Sequence, residues 1–149
     1  MNQVALGLGC DRGTALLTLQ QALQGALQQA GLQLQQVRAA ASIDLKADEP
    51  ALRELAALQG WPLRFYSAAQ LAAVAVPNPS ETVRRHTGTP SVSEAAALLQ
   101  GAHCLGQTEP LPASALLVEK FKHRGADGRN ATVSIARCDR FPSTSQESP

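Results

Sequence analysis

The sequence predicts an α/β fold: a three-layer α/β/α sandwich with a mostly parallel sheet and an antiparallel C-terminal hairpin. Three observations predict it. Short apolar runs alternate with longer segments of helical spacing through the first half of the chain. Two β-rich runs joined by a glycine-bounded turn follow in the last third. Of 149 residues only three are Phe, one Trp and one Tyr, so the core must be built from Ala, Leu and Val. Small side chains of that kind favour helices laid closely on a sheet.

Each element has a local cause. Gln3 to Leu8 is an apolar run bounded by Gly7 and Gly9 and reads as a buried strand. Thr14 is placed to cap a helix carrying Leu16, Leu19, Leu23, Ala26, Leu27 and Ala30 on one face, and Gly31 stops it. Val37 to Ile43 is the second strand. Asp48 is placed to cap the next helix, which Pro50 opens and Gly60 ends. Pro62 to Tyr66 is the third strand. Ser67 to Gln70 and Ser91 to Glu94 both have the form of a capping box ahead of an Ala-rich helix. Between them, Pro77-Asn78-Pro79-Ser80 is a rigid turn whose serine can cap a short helix through His86. Ala115 to Lys122 and Ala131 to Arg137 are strands joined at Gly125 to Gly128. Residues 1–140 form one domain on this reading, and the Ser/Pro-rich stretch 141–149 is expected to be a disordered tail.

Composition narrows the function. Formal net charge is +1, without the basic excess of a dedicated nucleic-acid binder. No apolar run approaches the roughly 18 residues of a spanning helix, and residues 1–9 lack the features of a signal peptide. Three cysteines without CxxC spacing fit neither a disulfide scaffold nor a zinc site. His86, His103 and His123 show no metal-binding spacing. A cytoplasmic protein without metal or cofactor is the expectation.

In an open α/β sheet, ligands sit beyond the carboxyl ends of the strands. Three segments fall there. Gly7 to Thr14 is a glycine-rich strand-to-helix turn, either a plain tight connection or an anion site built on backbone N–H groups. Its third glycine comes one residue late for a dinucleotide fingerprint, and the Lys-Ser/Thr of a P-loop is missing, so a nucleotide binder is disfavoured. Ser42 to Pro50 places Lys46 among Asp44, Asp48 and Glu49. It is either a solvated loop or a grip for an anionic substrate with groups able to move a proton. Pro77 to Ser80 either presents the Asn78 amide and Ser80 hydroxyl to a ligand or merely opens a helix. The hairpin carries Lys120, Lys122, His123, Arg124 and Arg129, read chiefly as a charged edge that resists sheet-to-sheet association. Cys10 lies near a helix start but has no local base that would make it a nucleophile.

In order and spacing these segments resemble the CobE family, which is similar to the C-terminal domain of CbiG, in cobalamin biosynthesis. The matching stretches are Gly7 to Thr14, Ser42 to Pro50, Leu63 to Ser67, Pro77 to Ser80, Gly88 to Leu99 and Ala131 to Arg137. The resemblance implies a protein of the aerobic corrin pathway that binds a carboxylate-rich precorrin or hydrogenobyrinic acid-type tetrapyrrole. The expected binding residues are Gly9, Cys10, Gly13, Thr14, Ser42, Lys46, Asn78 and Ser80. Full-length CbiG hydrolyses a lactone on a cobalt-precorrin, releasing acetaldehyde. On that alternative Asp44 or Glu49 is the general base and Lys46 stabilises the developing negative charge. A third reading is a non-catalytic partner of a corrin-pathway methyltransferase. The binding and hydrolytic readings require the glycine turn, the lysine loop and the proline-braced turn to gather around one hollow.

Overall fold

A computed structural model describes residues 2–139 of the chain. The expected tail, 141–149, lies outside them. Five strands form one sheet: β1 (Val4–Cys10), β2 (Val37–Ile43), β3 (Leu63–Tyr66), β4 (Leu116–Arg124) and β5 (Asn130–Arg137). Their order is β3-β2-β1-β5-β4. β1 pairs in parallel with β2, and β2 with β3. β5 runs antiparallel to both β1 and β4. The parallel half and the C-terminal hairpin are thus both present. The sheet as a whole is mixed rather than mostly parallel, because the hairpin docks through β5 against β1 and makes half of the pairings antiparallel. β4 still points the same way as β1, β2 and β3, so four carboxyl ends share one edge of the sheet.

Helices cover both faces. α1 (Leu16–Ala30) and α2 (Pro50–Gln59) lie on one side. There Leu19, Leu23, Leu27, Leu52 and Leu55 pack on Val4, Leu6, Leu8, Val133 and Ile135. α3 (Ala68–Ala72), α4 (Glu81–Thr87) and α5 (Val92–Cys104) follow on the other. Ala95, Ala96, Ala97 and Leu98 of α5 pack there with Ala41, Ile43 and Ala136 of the sheet and with Leu71 of α3. A helix lined with alanine can approach a sheet closely, which is how a chain poor in aromatic residues fills its interior. No helix among the described residues is long and apolar enough to cross a membrane.

The local signals meet mixed outcomes. Ser67 forms its capping box with Gln70, and Ser80 caps α4 through the Val83 amide. Gly31 and Gly60 end α1 and α2 in left-handed conformation. Thr14 does not cap α1. Ala15 is the N-cap residue, and Asp127 of the hairpin turn accepts its N–H at 2.9 Å. Asp48 does not cap α2; the N-cap residue is Glu49, and Asp48 pairs instead with Arg12 at 2.6 Å. The box expected at Ser91 is not formed. Glu94 reaches across to Asn78 instead.

Candidate functional site

A cleft of about 460 Å³ opens where the carboxyl ends of the strands meet α4 and α5. Its position follows from two glycines of β1. Gly7 and Gly9 are two residues apart on one strand and face the same side of the sheet. α5 presses on Gly7 so closely that a Cβ there would lie 1.8 Å from the Ser93 carbonyl oxygen. Val92 and Ser93, the first residues of α5, line the cleft, and Gly9 lies beyond them on its floor. Gly9 pairs with Thr132 of β5, and Thr132 with Lys122 of β4, so one row across the sheet builds that floor. Ile43, Val83 and Val92 supply apolar wall.

Cations border this apolar hollow. Lys46 enters from the loop after β2, Arg12 from the glycine turn, and Lys120 and Lys122 from β4. The register of β4 shifts between Val118 and Phe121. Val118 and Phe121 therefore both face α1, and the lysines flanking Phe121 face the cleft. Burial, partly offset by the nearby Glu94 carboxylate, holds the Lys120 ammonium below the ordinary lysine range. Its Nζ donates to the Asn78 carbonyl oxygen at 3.1 Å.

The sequence-derived candidates divide into three groups. Gly9, Cys10 and Lys46 line the cleft. Burial pushes the Cys10 thiol up to about 11, against the opposing pull of Lys46, so the sulfur is protonated at neutral pH. Asn78 and Ser80 border a second hollow, of about 690 Å³, along β4. Lys120 and Lys122 line both hollows and join them. The three segments are therefore neighbours, although the proline-braced turn is not part of the first cleft.

The remaining candidates, Asp44 apart, are engaged within the protein. The backbone cradle expected at Gly9 to Thr14 is filled from inside. The Gly13 N–H donates to Glu49 Oε2 at 3.0 Å, and the Thr14 N–H to the Asp11 carbonyl at 3.3 Å. Thr14 Oγ1 donates to the same carbonyl at 2.6 Å. Glu49 is 2% exposed and also meets Arg12 at 3.5 Å. It is a clamp between the glycine turn and α2 rather than a free base. Asp44 lies exposed in the loop and does not line the cleft. Ser42 is fully buried and donates to the Leu8 carbonyl at 2.6 Å, which ties β2 to β1. The Asn78 side-chain N–H groups donate to Glu94 at 2.6 Å and to Glu119 at 3.0 Å. Ser80 Oγ accepts the Val83 N–H at 3.2 Å. These residues shape the site without offering free groups to it. Lys120 and Lys122, read chiefly as an edge device, belong to it. Their spacing, two apart on a strand around Phe121, was the available signal.

The chemistry on offer is anion recognition beside an apolar surface. Among the described residues no three His, Cys, Asp or Glu side chains gather as metal ligands.

Comparisons with known proteins agree with one another. Residues 4–136 match the family described as cobalamin synthesis G C-terminus. Over 96 residues the chain is 36% identical to the cobalt-precorrin-5A hydrolase of Priestia megaterium, covering 64% of this chain and 26% of that one. Over 98 residues it is 41% identical to protein CobE of Sinorhizobium sp, covering 64% of each. It thus spans about a quarter of the length of that hydrolase and just under two thirds of that CobE. The fold is similar to the crystal structure of CobE, a protein from the cobalamin (vitamin B12) biosynthetic pathway. The TM-score is 0.75 at 35% identity, covering 93% of this chain and 94% of that one.

Proposed function

The chain belongs to the cobalamin synthesis G C-terminus family, and from that premise we propose that its cleft binds a carboxylate-fringed tetrapyrrole precursor of the corrin pathway. One observation carries the reading: Lys46, Lys120 and Lys122, with Arg12, border a hollow whose wall is otherwise largely apolar. A corrin precursor is a broad apolar ring fringed with acetate and propionate groups. It asks for an apolar shelf and for cations spaced around it. The cleft accepts one edge of such a ring, and the neighbouring hollow along β4 gives the rim carboxylates further room. Lys120 and Lys122, standing between the two hollows, pair with carboxylates on the enclosed edge. Lys46 holds one on the opposite side. Ile43, Val83 and Val92 make the apolar contact that aromatic stacking would supply in another protein.

Titration of the full chain with hydrogenobyrinic acid tests this. A saturable change in the ligand's absorbance, weakened in Lys46→Ala and in Lys122→Ala, is the expected result. Absence of both heat and spectral change at near-millimolar protein would overturn it.

A hydrolytic role at the same cleft is the second reading, favoured by the likeness to the cobalt-precorrin-5A hydrolase. Lys46, the one cleft lysine among the sequence-derived site residues, is placed to stabilise a developing oxyanion. With Glu49 held by Gly13 and Arg12, the base would be a water or a group of the substrate. Acetaldehyde release from a precorrin lactone, abolished in Lys46→Ala, distinguishes this reading from binding alone.

A further inference from the structure

We propose that Cys104 and Cys138 form an intramolecular disulfide when a low-molecular-weight disulfide serves as oxidant, making the end of the molecule remote from the cleft a covalent modification site.

The placement comes from α5 and β5. Cys104 is the last residue of α5, and Cys138 immediately follows β5. Gly101 and Cys104 lie one helical turn apart on the same face of α5. A Cβ on Gly101 would sit 3.6 Å from the Cys138 Cβ, so Cys138 packs against that face. The two thiols are near enough for each to shift the other's proton equilibrium. Cys138 is fixed in place by its own N–H, which donates to the Gln3 carbonyl at 2.8 Å. It is 3% exposed, whereas Cys104 is half-buried and open to a small reagent.

That asymmetry assigns the roles. The neighbouring Cys138 thiol, helped by the Arg38 charge, brings the Cys104 thiol down to about 7 against the effect of burial. The same contact and its own burial push Cys138 upward. The Cys104 thiolate attacks one sulfur of the oxidant, whose S–S bond breaks and releases one thiolate. Cys138 then gives up its proton and attacks the Cys104 sulfur of the mixed disulfide, expelling the second thiolate. The protein loses two hydrogen atoms and two electrons, and the oxidant gains them as two thiols. The new bond ties the end of α5 to the end of β5. Cys10 lies at the opposite end of β1, and its raised thiol stays out of the exchange.

The test incubates the full native chain with oxidised glutathione, alkylates the remaining thiols under denaturing conditions and measures intact and peptide masses. The expected product has lost the mass of two hydrogen atoms, carries one alkyl group on Cys10 and yields a linked peptide pair containing Cys104 and Cys138. Cys10→Ser forms the same bond, which keeps the result independent of whether Cys138→Ser folds. Three alkylated cysteines, glutathione retained on Cys104, or a bond that includes Cys10 would overturn the proposal.

Discussion

Gly7 and Ser93 approach so closely that the Cβ which Gly7 lacks would fall 1.8 Å from the Ser93 carbonyl oxygen. This contact fixes how near α5 lies to the sheet, and so where the cleft begins. Gly7→Ala must push backbone against backbone, which no side-chain rotation relieves. A loss of about 3 kcal/mol is expected in urea unfolding, the upper range for overpacking. Gly9→Ala meets its nearest neighbour, the Thr132 Cβ, at an ordinary 3.9 Å. That variant should stay within about 1 kcal/mol of the parent chain. Equal effects at the two positions would refute this account of the cleft.

Asn78 holds a carboxylate that is cut off from water. Glu94 is fully buried, and it accepts the Asn78 backbone N–H at 3.3 Å and a side-chain N–H at 2.6 Å. Asn78→Ala removes the shorter of these charge-assisted bonds. A cost of about 2 kcal/mol is expected, typical of a hydrogen bond to an ionised group. Adding Glu94→Gln to that variant removes the buried charge and should recover about half of the loss. Chemical denaturation of the two single variants and the double variant measures this coupling.

Much of the order of elements is legible in the sequence, because apolar spacing and glycine stops act locally. Ser67 and Ser80 cap their helices as their neighbours dictate. Ser91 has the same local form and fails, because Glu94 finds a better partner in Asn78, sixteen residues before it. Thr14 fails as a cap because Asp127, which folds back from the hairpin, reaches the α1 amide. Glu49 reads as a solvated charge in a polar loop, yet folding buries it against Gly13. Each miss involves a partner distant along the chain, which periodicity cannot register. The site divides in the same way. Lys46 is visible as a lysine at a strand end. The role of Lys120 and Lys122 depends on the register shift in β4, which shows only once β5 is paired beside it.

The cap that Asp127 places on α1 makes stability depend on acid. The Ala15 N–H above all, with the Arg129 N–H and the Thr18 hydroxyl, holds its carboxyl below the ordinary 3.8 against the opposing effect of desolvation. A carboxyl lowered by folding contributes stability that is present above its unfolded value and is lost as pH falls through the folded one. Midpoints of urea unfolding should therefore drop as pH falls below about 3.8. Asp127→Asn cannot ionise, and its decline over that window should be shallower. Parallel declines in the two proteins would remove Asp127 from the explanation.

Binding of an acidic ring should carry the signature of the lysines on β4. Burial already holds Lys120 below its ordinary 10.5, so it loses its proton at a lower pH than an exposed lysine. A ligand carboxylate placed beside it favours the charged form and raises that value again. Binding is then coupled to retention of the proton, and affinity must fall as pH rises through the lowered value of the free protein. Lys120→Ala should weaken binding about tenfold near neutrality, the worth of one charge-assisted pair of about 1.4 kcal/mol. It should also flatten the alkaline decline, because the group responsible is gone. Lys122→Ala removes a comparable attraction at an exposed position, so its loss should shrink as salt is raised. Calorimetric titration with hydrogenobyrinic acid across pH and salt separates the two lysines. An alkaline decline of full size in Lys120→Ala would place the recognising charge elsewhere on the cleft wall, with Lys46 the next to test.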